Sequence, residues 1–170
     1  LSGTQKVMVL RVYFDDYADS SRYTQAEVKG FFDELDKLWR NTSYNHINIG
    51  HQVTSLYKLP DKRADYIDDF PTGDLSNGGK FQKVLDDAIA NAPPGLDWTD
   101  LQSVMVVMAE PGATQFHRGQ ATGSCSVAMG PGGATKNVGC AIFSENPTET
   151  DVQVWGRWAH EVGHAFQDKG

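Results

Sequence analysis

The segment His160-Glu161-Val162-Gly163-His164 restricts the fold of this chain more than any other. Two histidines at i and i+4 share one helical face, so both imidazoles can reach a single metal ion when the segment is helical. Around them Val152, Trp155, Ala159, Val162 and Phe166 recur at spacings of three and four, which makes one apolar stripe. His160, Glu161 and His164 lie off that stripe. The spacing therefore predicts a helix packed on its apolar side and presenting His, Glu and His on the other. Thr148 with Asp151 three residues on predicts its N-cap, and Gly170 its stop.

The order His-Glu-x-x-His carries a chemistry as well as a shape. Glu161 points to a sector beside the histidines, where its carboxylate can take a proton from a metal-bound water without ligating the metal. Such a set reads as the zinc site of a metallopeptidase, with His160 and His164 as ligands and Glu161 as the base. A catalytic zinc takes three protein ligands and leaves the fourth place to water. Asp168, eight residues after His160, stands about 12 Å along the helix axis, too far to complete the set. His46 and His51 lie in or beside a strand and His117 follows one. All three read as surface or rim histidines, of which His117 could line the cleft.

The remaining bounds agree. The chain has 170 residues, enough for one core-bearing domain, with no internal repeat and no linker to divide it. Its net charge is −7 and its basic residues are scattered, so the footprint of a nucleic-acid binder is missing. The longest apolar run, Val104 to Ala109, is far short of the roughly 20 residues that cross a bilayer, and neither nucleic acid nor membrane is expected as a partner. A start at Leu1, without a charged and apolar leader, fits a chain whose signal or pro-segment has been removed, and secretion is expected. Cys125 and Cys140 are the only cysteines and flank a Gly-rich segment, Gly130 to Gly133; in an exported chain they read as one disulfide.

Val7 to Phe14 and Val104 to Ala109 are apolar runs that predict buried strands. Thr24 and Glu27 form a capping box for a helix on Val28, Phe31, Phe32, Leu35, Leu38 and Trp39, reaching about Arg40. Ile47 to Leu59 predicts one or two strands, Asp61 to Gly79 a polar loop, and Phe81 to Ala90 a second helix. Ser124 to Met129 and Val138 to Phe143 predict a pair of strands stapled by the cysteines. The mixture is an α+β domain with the histidine-bearing helix packed beneath a twisted, mixed sheet. Asp15, Asp16 and Asp19, and Asp61, Asp65, Asp68, Asp69 and Asp74, offer oxygen ligands for calcium, but without EF-hand spacing. Asn41-Thr42-Ser43 is a glycosylation sequon.

His-Glu-x-x-His on a helix behind a mixed sheet resembles the zincin metallopeptidases. Val7 to Asp16, Val28 to Phe32 and Ser43-Tyr44-Asn45-His46-Ile47-Asn48-Ile49-Gly50 are similar to the N-terminal half of secreted bacterial proteases of the immune inhibitor A type. The resemblance departs after the second histidine, where the family's Gly and Asp are replaced by Gln167 and Gly170. It implies a zincin-like fold over residues 1–170, as the N-terminal part of a catalytic domain incomplete at its C-terminal end. A further fragment of the same gene product would then carry the third ligand. It also implies a secreted zinc endopeptidase acting on protein or peptide, with the substrate laid as an extra strand on the sheet edge above the cleft. Ser126, Val127 and Ala128 are the expected substrate edge. The alternative is a catalytically silent module of the same fold, used for binding or structure.

Overall fold

The computed structural model describes residues 2–17, 19–66, 78–109 and 119–167. In chain order these form β1 (Gly3–Tyr13), α1 (Gln25–Thr42), β2 (Ile47–Val53), β3 (Tyr57–Lys58), the one-turn α2 (Arg63–Tyr66), α3 (Gly78–Ala90), β4 (Ser103–Met108), β5 (Gln120–Ala128), β6 (Thr135–Ser144) and α4 (Asp151–Gln167). Six strands make one sheet in the order β2-β1-β4-β6-β5, with β3 also paired to β1. Every pairing is parallel except β5 with β6, so β5 is an antiparallel strand at one edge.

Helices cover both faces of this sheet, a more specific arrangement than the expected helix beneath it. Along β1, Met8, Leu10 and Val12 enter a core shared with Val84, Leu85 and Ile89 of α3. The alternate residues Val7 and Val9 enter a second core with Phe31 and Phe32 of α1 and Trp158 and Val162 of α4. A strand buried on both faces has no polar side, which explains why β1 and β4 read as continuous apolar runs rather than alternating ones.

Several boundaries follow local chemistry. Thr24 caps α1 with the predicted box, its side chain accepting from the Glu27 N–H while Glu27 accepts from the Thr24 N–H. Ile47 to Leu59 resolves into β2 and β3. The polar stretch from Asp61 contains α2, and Asp68, Asp69 and Asp74 lie outside the described residues.

The cap of α4 is Thr150 rather than Thr148. Thr148 is already held by Asn146, whose side-chain oxygen accepts from the Thr148 N–H at 3.0 Å and from its hydroxyl at 2.8 Å. Thr150 instead exchanges contacts with Gln153: the Thr150 N–H donates to the Gln153 side chain at 2.9 Å and the Gln153 N–H to Oγ1 at 3.4 Å. The apolar stripe is also rotated from the expected one. Val152 is 82% exposed, whereas Val154, Trp158, Val162, Ala165 and Phe166 are buried and Trp155 and Ala159 half-buried. The sheet together with α1 buries Val154 and Trp158.

Candidate metal centre

α4 lies on the β5–β6 end of the sheet. Its C-terminal turn is drawn close by a glycine: a Cβ on Gly139 of β6 would stand 2.0 Å from the Ala165 carbonyl oxygen. The approach fixes the helix one residue away from His164. At the other end, Trp158 stacks on Phe143 of β6 with ring centroids 5.5 Å apart and donates through its indole N–H to the Ser144 carbonyl at 3.2 Å. Tyr23 and Phe31 meet the same indole edge-on at 5.8 and 5.5 Å.

With that face anchored, His160 and His164 are exposed to solvent and Glu161 is half-buried. The two imidazole rings stand nearly perpendicular, and their Nε2 atoms are 2.9 Å apart. Two nitrogens bound to one tetrahedral zinc would be about 3.3 Å apart, so this pair needs only a small rotamer adjustment to share an ion. The donor set fits two of the three protein ligands a catalytic zinc requires. Among the described residues no group of three or more His, Cys, Asp and Glu is arranged to hold a metal.

Glu161 has a neighbour with no local sequence signal. Gly119, directly before β5, approaches so closely that a Cβ there would lie 3.0 Å from Glu161 Cγ and 3.5 Å from its Oε1. Its φ of +147° is backbone that side chains other than hydrogen rarely adopt. The edge strand therefore begins beside the carboxylate. The sequence predicts a strand only from Ser124, four residues later, because the small and polar residues Gln120 to Gly123 carry no apolar alternation.

Ser126, Val127 and Ala128 do lie on the edge strand, paired with Asn137, Lys136 and Thr135. At about 3.3 Å per residue, less one residue taken up by the bulge, they stand roughly 20–26 Å from Gly119, at the far end of β5. There the outer edge is partly covered, because Gln82 of α3 donates to the Ser126 carbonyl at 2.9 Å. Between the two ends the strand is irregular at Thr122/Cys125, and Cys125 is bonded to Cys140 with Cα atoms 6.1 Å apart. The disulfide ties the edge strand to β6 across this bulge.

Neither His46 nor His51 is brought to α4. His46 is exposed in the turn before β2. His51, expected at the surface or rim, is packed between β2 and α1: its side chain is 8% exposed, 3.4 Å from Asp33, with its ring 5.8 Å from that of Phe32. Burial pushes its pKa below the ordinary histidine value against the pull of Asp33. His117 and Asp168 lie outside the described residues. Of the acidic residues considered for calcium, Asp15 is paired with Lys58 at 2.6 Å and Asp61 with Lys83 at 2.6 Å. Asp16 accepts from the Arg63 N–H and Asp65 from the Lys62 N–H. These carboxylates face lysines and backbone donors rather than one another.

A buried polar cluster beside α4 had no expectation attached to it. Arg11 and Glu145 are 4% and 1% exposed, and they are joined through Ser21. No family model matches the sequence, and no curated protein is significantly similar to it.

Proposed function

We propose that this chain carries the upper part of a zincin-like zinc peptidase site and hydrolyses peptide bonds. The reading rests on one observation above the others. The Nε2 atoms of His160 and His164 converge to 2.9 Å on the exposed side of a helix whose intervening Glu161 lies against the start of an antiparallel edge strand. Metal donors, a proton acceptor and a peptide-docking edge are thereby within one turn of helix of each other.

Zinc held by His160, His164 and a ligand from outside the described residues would acidify a bound water and polarise a peptide carbonyl. Glu161 then accepts the proton from the attacking water and returns it to the leaving amine. Its half-buried position against Gly119 places the carboxylate beside the start of the edge strand. A substrate added to β5 as a further strand would meet Glu161 at the Gly119 end, leaving Ser126 to Ala128 to contact residues roughly six to eight positions from the scissile bond. The buried disulfide supports an oxidising, exported setting. Among the described residues no helix is long and apolar enough to cross a membrane.

The test compares zinc content and casein hydrolysis of the protein with those of its Glu161→Gln variant. Expected are zinc in both and hydrolysis only in the unaltered protein, whereas His160→Ala and His164→Ala lose both. Full hydrolysis by Glu161→Gln overturns the mechanism. Zinc without hydrolysis in the unaltered protein selects the catalytically silent alternative.

A further inference from the structure

The residues that join β1 to α1 also seat the N-terminal half of α4. The Tyr23 hydroxyl donates to Asp151 Oδ1 at 2.8 Å, and Arg22 Nη2 reaches the same oxygen at 2.7 Å. Arg22 Nη1 donates to the Asn146 carbonyl at 2.6 Å and the Arg22 N–H to Glu145 Oε2 at 2.7 Å. At the centre is the Ser21 hydroxyl. Its oxygen stands 2.6 Å from Glu145 Oε1, 2.8 Å from the Tyr23 carbonyl and 2.9 Å from Arg11 Nη2.

One hydroxyl hydrogen cannot serve two acceptors at once. With Glu145 ionised, Ser21 donates to Oε1 and the Tyr23 carbonyl is served by Arg11 Nη2, which also reaches it. With Glu145 protonated, its O–H donates to Ser21 Oγ, and the Ser21 hydroxyl turns to the Tyr23 carbonyl. Both arrangements keep Glu145 Oε1, Ser21 Oγ and the Tyr23 carbonyl hydrogen-bonded, and they differ by one proton taken from solvent. We propose that Ser21 and Glu145 form a proton-linked latch that positions α4, and with it the two histidines.

The states differ in charge rather than in hydrogen bonds. Ionised Glu145 offsets the buried guanidinium of Arg11 and the charge of Arg22. The other charged groups facing this cluster are Glu27 of α1 and Asp151 of α4. Protonation leaves Arg11 with only the exposed Glu27 to compensate it, so the segment carrying Tyr23 loses part of its attraction for the β6–α4 connection. Burial moves the Glu145 carboxyl above the ordinary glutamate value, toward a less acidic range. Tyr23 is also the reporter, since its ring lies 5.9 Å from Trp155 and 5.8 Å from Trp158.

The link to metal binding rests on the proposed function; the latch itself does not. The experiment follows tryptophan fluorescence and near-ultraviolet circular dichroism between pH 7.5 and 4.5. A transition is expected in the unaltered protein and in Ser21→Thr, which keeps the hydroxyl. Glu145→Gln should show the acid signal throughout, and Ser21→Ala, which removes a hydrogen bond that favours the ionised carboxylate, should move the transition to higher pH. Carboxyl carbon-13 shifts of Glu145 in the unaltered protein give its midpoint directly, which covers the case of a variant that does not fold. An unchanged transition in Glu145→Gln, or a Glu145 midpoint at or below the ordinary glutamate value, overturns the latch. Binding of zinc ion alone is then compared across the same range, with a steeper loss on acidification expected in the unaltered protein than in Glu145→Gln. If the chain binds no zinc at any pH, the metal reading fails while the optical titration still decides the latch.

Discussion

Replacing Gly139 by alanine tests how α4 is held. Gly139 has no left-handed backbone requirement, so the cost of a side chain there is steric. The added Cβ would lie 2.0 Å from the Ala165 carbonyl oxygen and 2.9 Å from Ser103 Oγ. Ser103 can rotate, but the carbonyl is backbone of a helix whose Val162, Ala165 and Phe166 are fully buried. Reaching a tolerable 3.0 Å requires α4 and β6 to part by about 1 Å, which strains the core around Phe143 and Trp158. Overpacking of this kind costs about 3 kcal/mol, which for a domain of this size lowers the melting temperature by roughly 6–12 °C. Urea unfolding measures the cost, with an unchanged slope showing that the effect is on stability. Gly156→Ala is the control: it lies in the same helix, a Cβ there meets nothing within 4 Å, and it should gain roughly 0.5–1 kcal/mol. A Gly139→Ala protein within about 0.5 kcal/mol of the original would refute the close approach and with it the seating of α4.

Gly119→Ala should leave zinc in place and lower the turnover number by about tenfold or more, because the new methyl at φ +147° pushes Glu161 aside without touching the histidines; unchanged turnover would separate Gly119 from the site. A non-reduced digest should yield the Cys125 and Cys140 peptides linked, and reduction should cost on the order of 3 kcal/mol for a loop of this length; free thiols in protein from its native compartment count against both the bond and export. His51 is held neutral by burial, so its contribution to stability is present above the ordinary histidine value and is lost as pH falls through its lowered one. His51→Gln should therefore flatten the decline in stability on acidification below pH 6.5, by at most about 1.4 kcal/mol per pH unit, and an unchanged slope would argue against that burial.

Local signals agree with the structure at α1, β1 and β4, though not at the cap of α4, where Asn146 holds Thr148. Thr24 and Glu27 are three residues apart and form the capping box the spacing predicts, and the apolar runs at Val7 and Val104 are central strands. His160 and His164 owe their convergence to helical spacing alone. The stripe of α4 was harder to read because Val152 and Val154 stand at its opposite rims, about 160° apart at 100° per residue, on either side of Trp155, Trp158, Ala159, Val162, Ala165 and Phe166. Only packing against Tyr23 and Phe31 decides that Val154 is inside and Val152 outside. The polar cluster left no trace at all, since Ser21 and Glu145 are 124 positions apart and a buried glutamate looks like any other until its partners are known. Gly119 and Gly139 were equally silent: each is needed for a contact with α4, and nothing in the neighbouring residues names that partner.

The parallel order of the sheet also sets a timetable. β1 and β4 pair over a separation of about 96 positions, and Tyr23 meets Asp151 across 128. Contacts this distant in sequence close late, after loops have been drawn together at an entropic cost and after the chain has left the ribosome. α1 and β1 can pair with β2 early, but they present a bare apolar surface until Trp158 and Val162 arrive. His160 and His164 follow all six strands in the sequence, so the helix that carries them is made after the sheet it closes on. On the proposed reading, a peptidase centre assembled in this order stays silent until the sheet beside it is built.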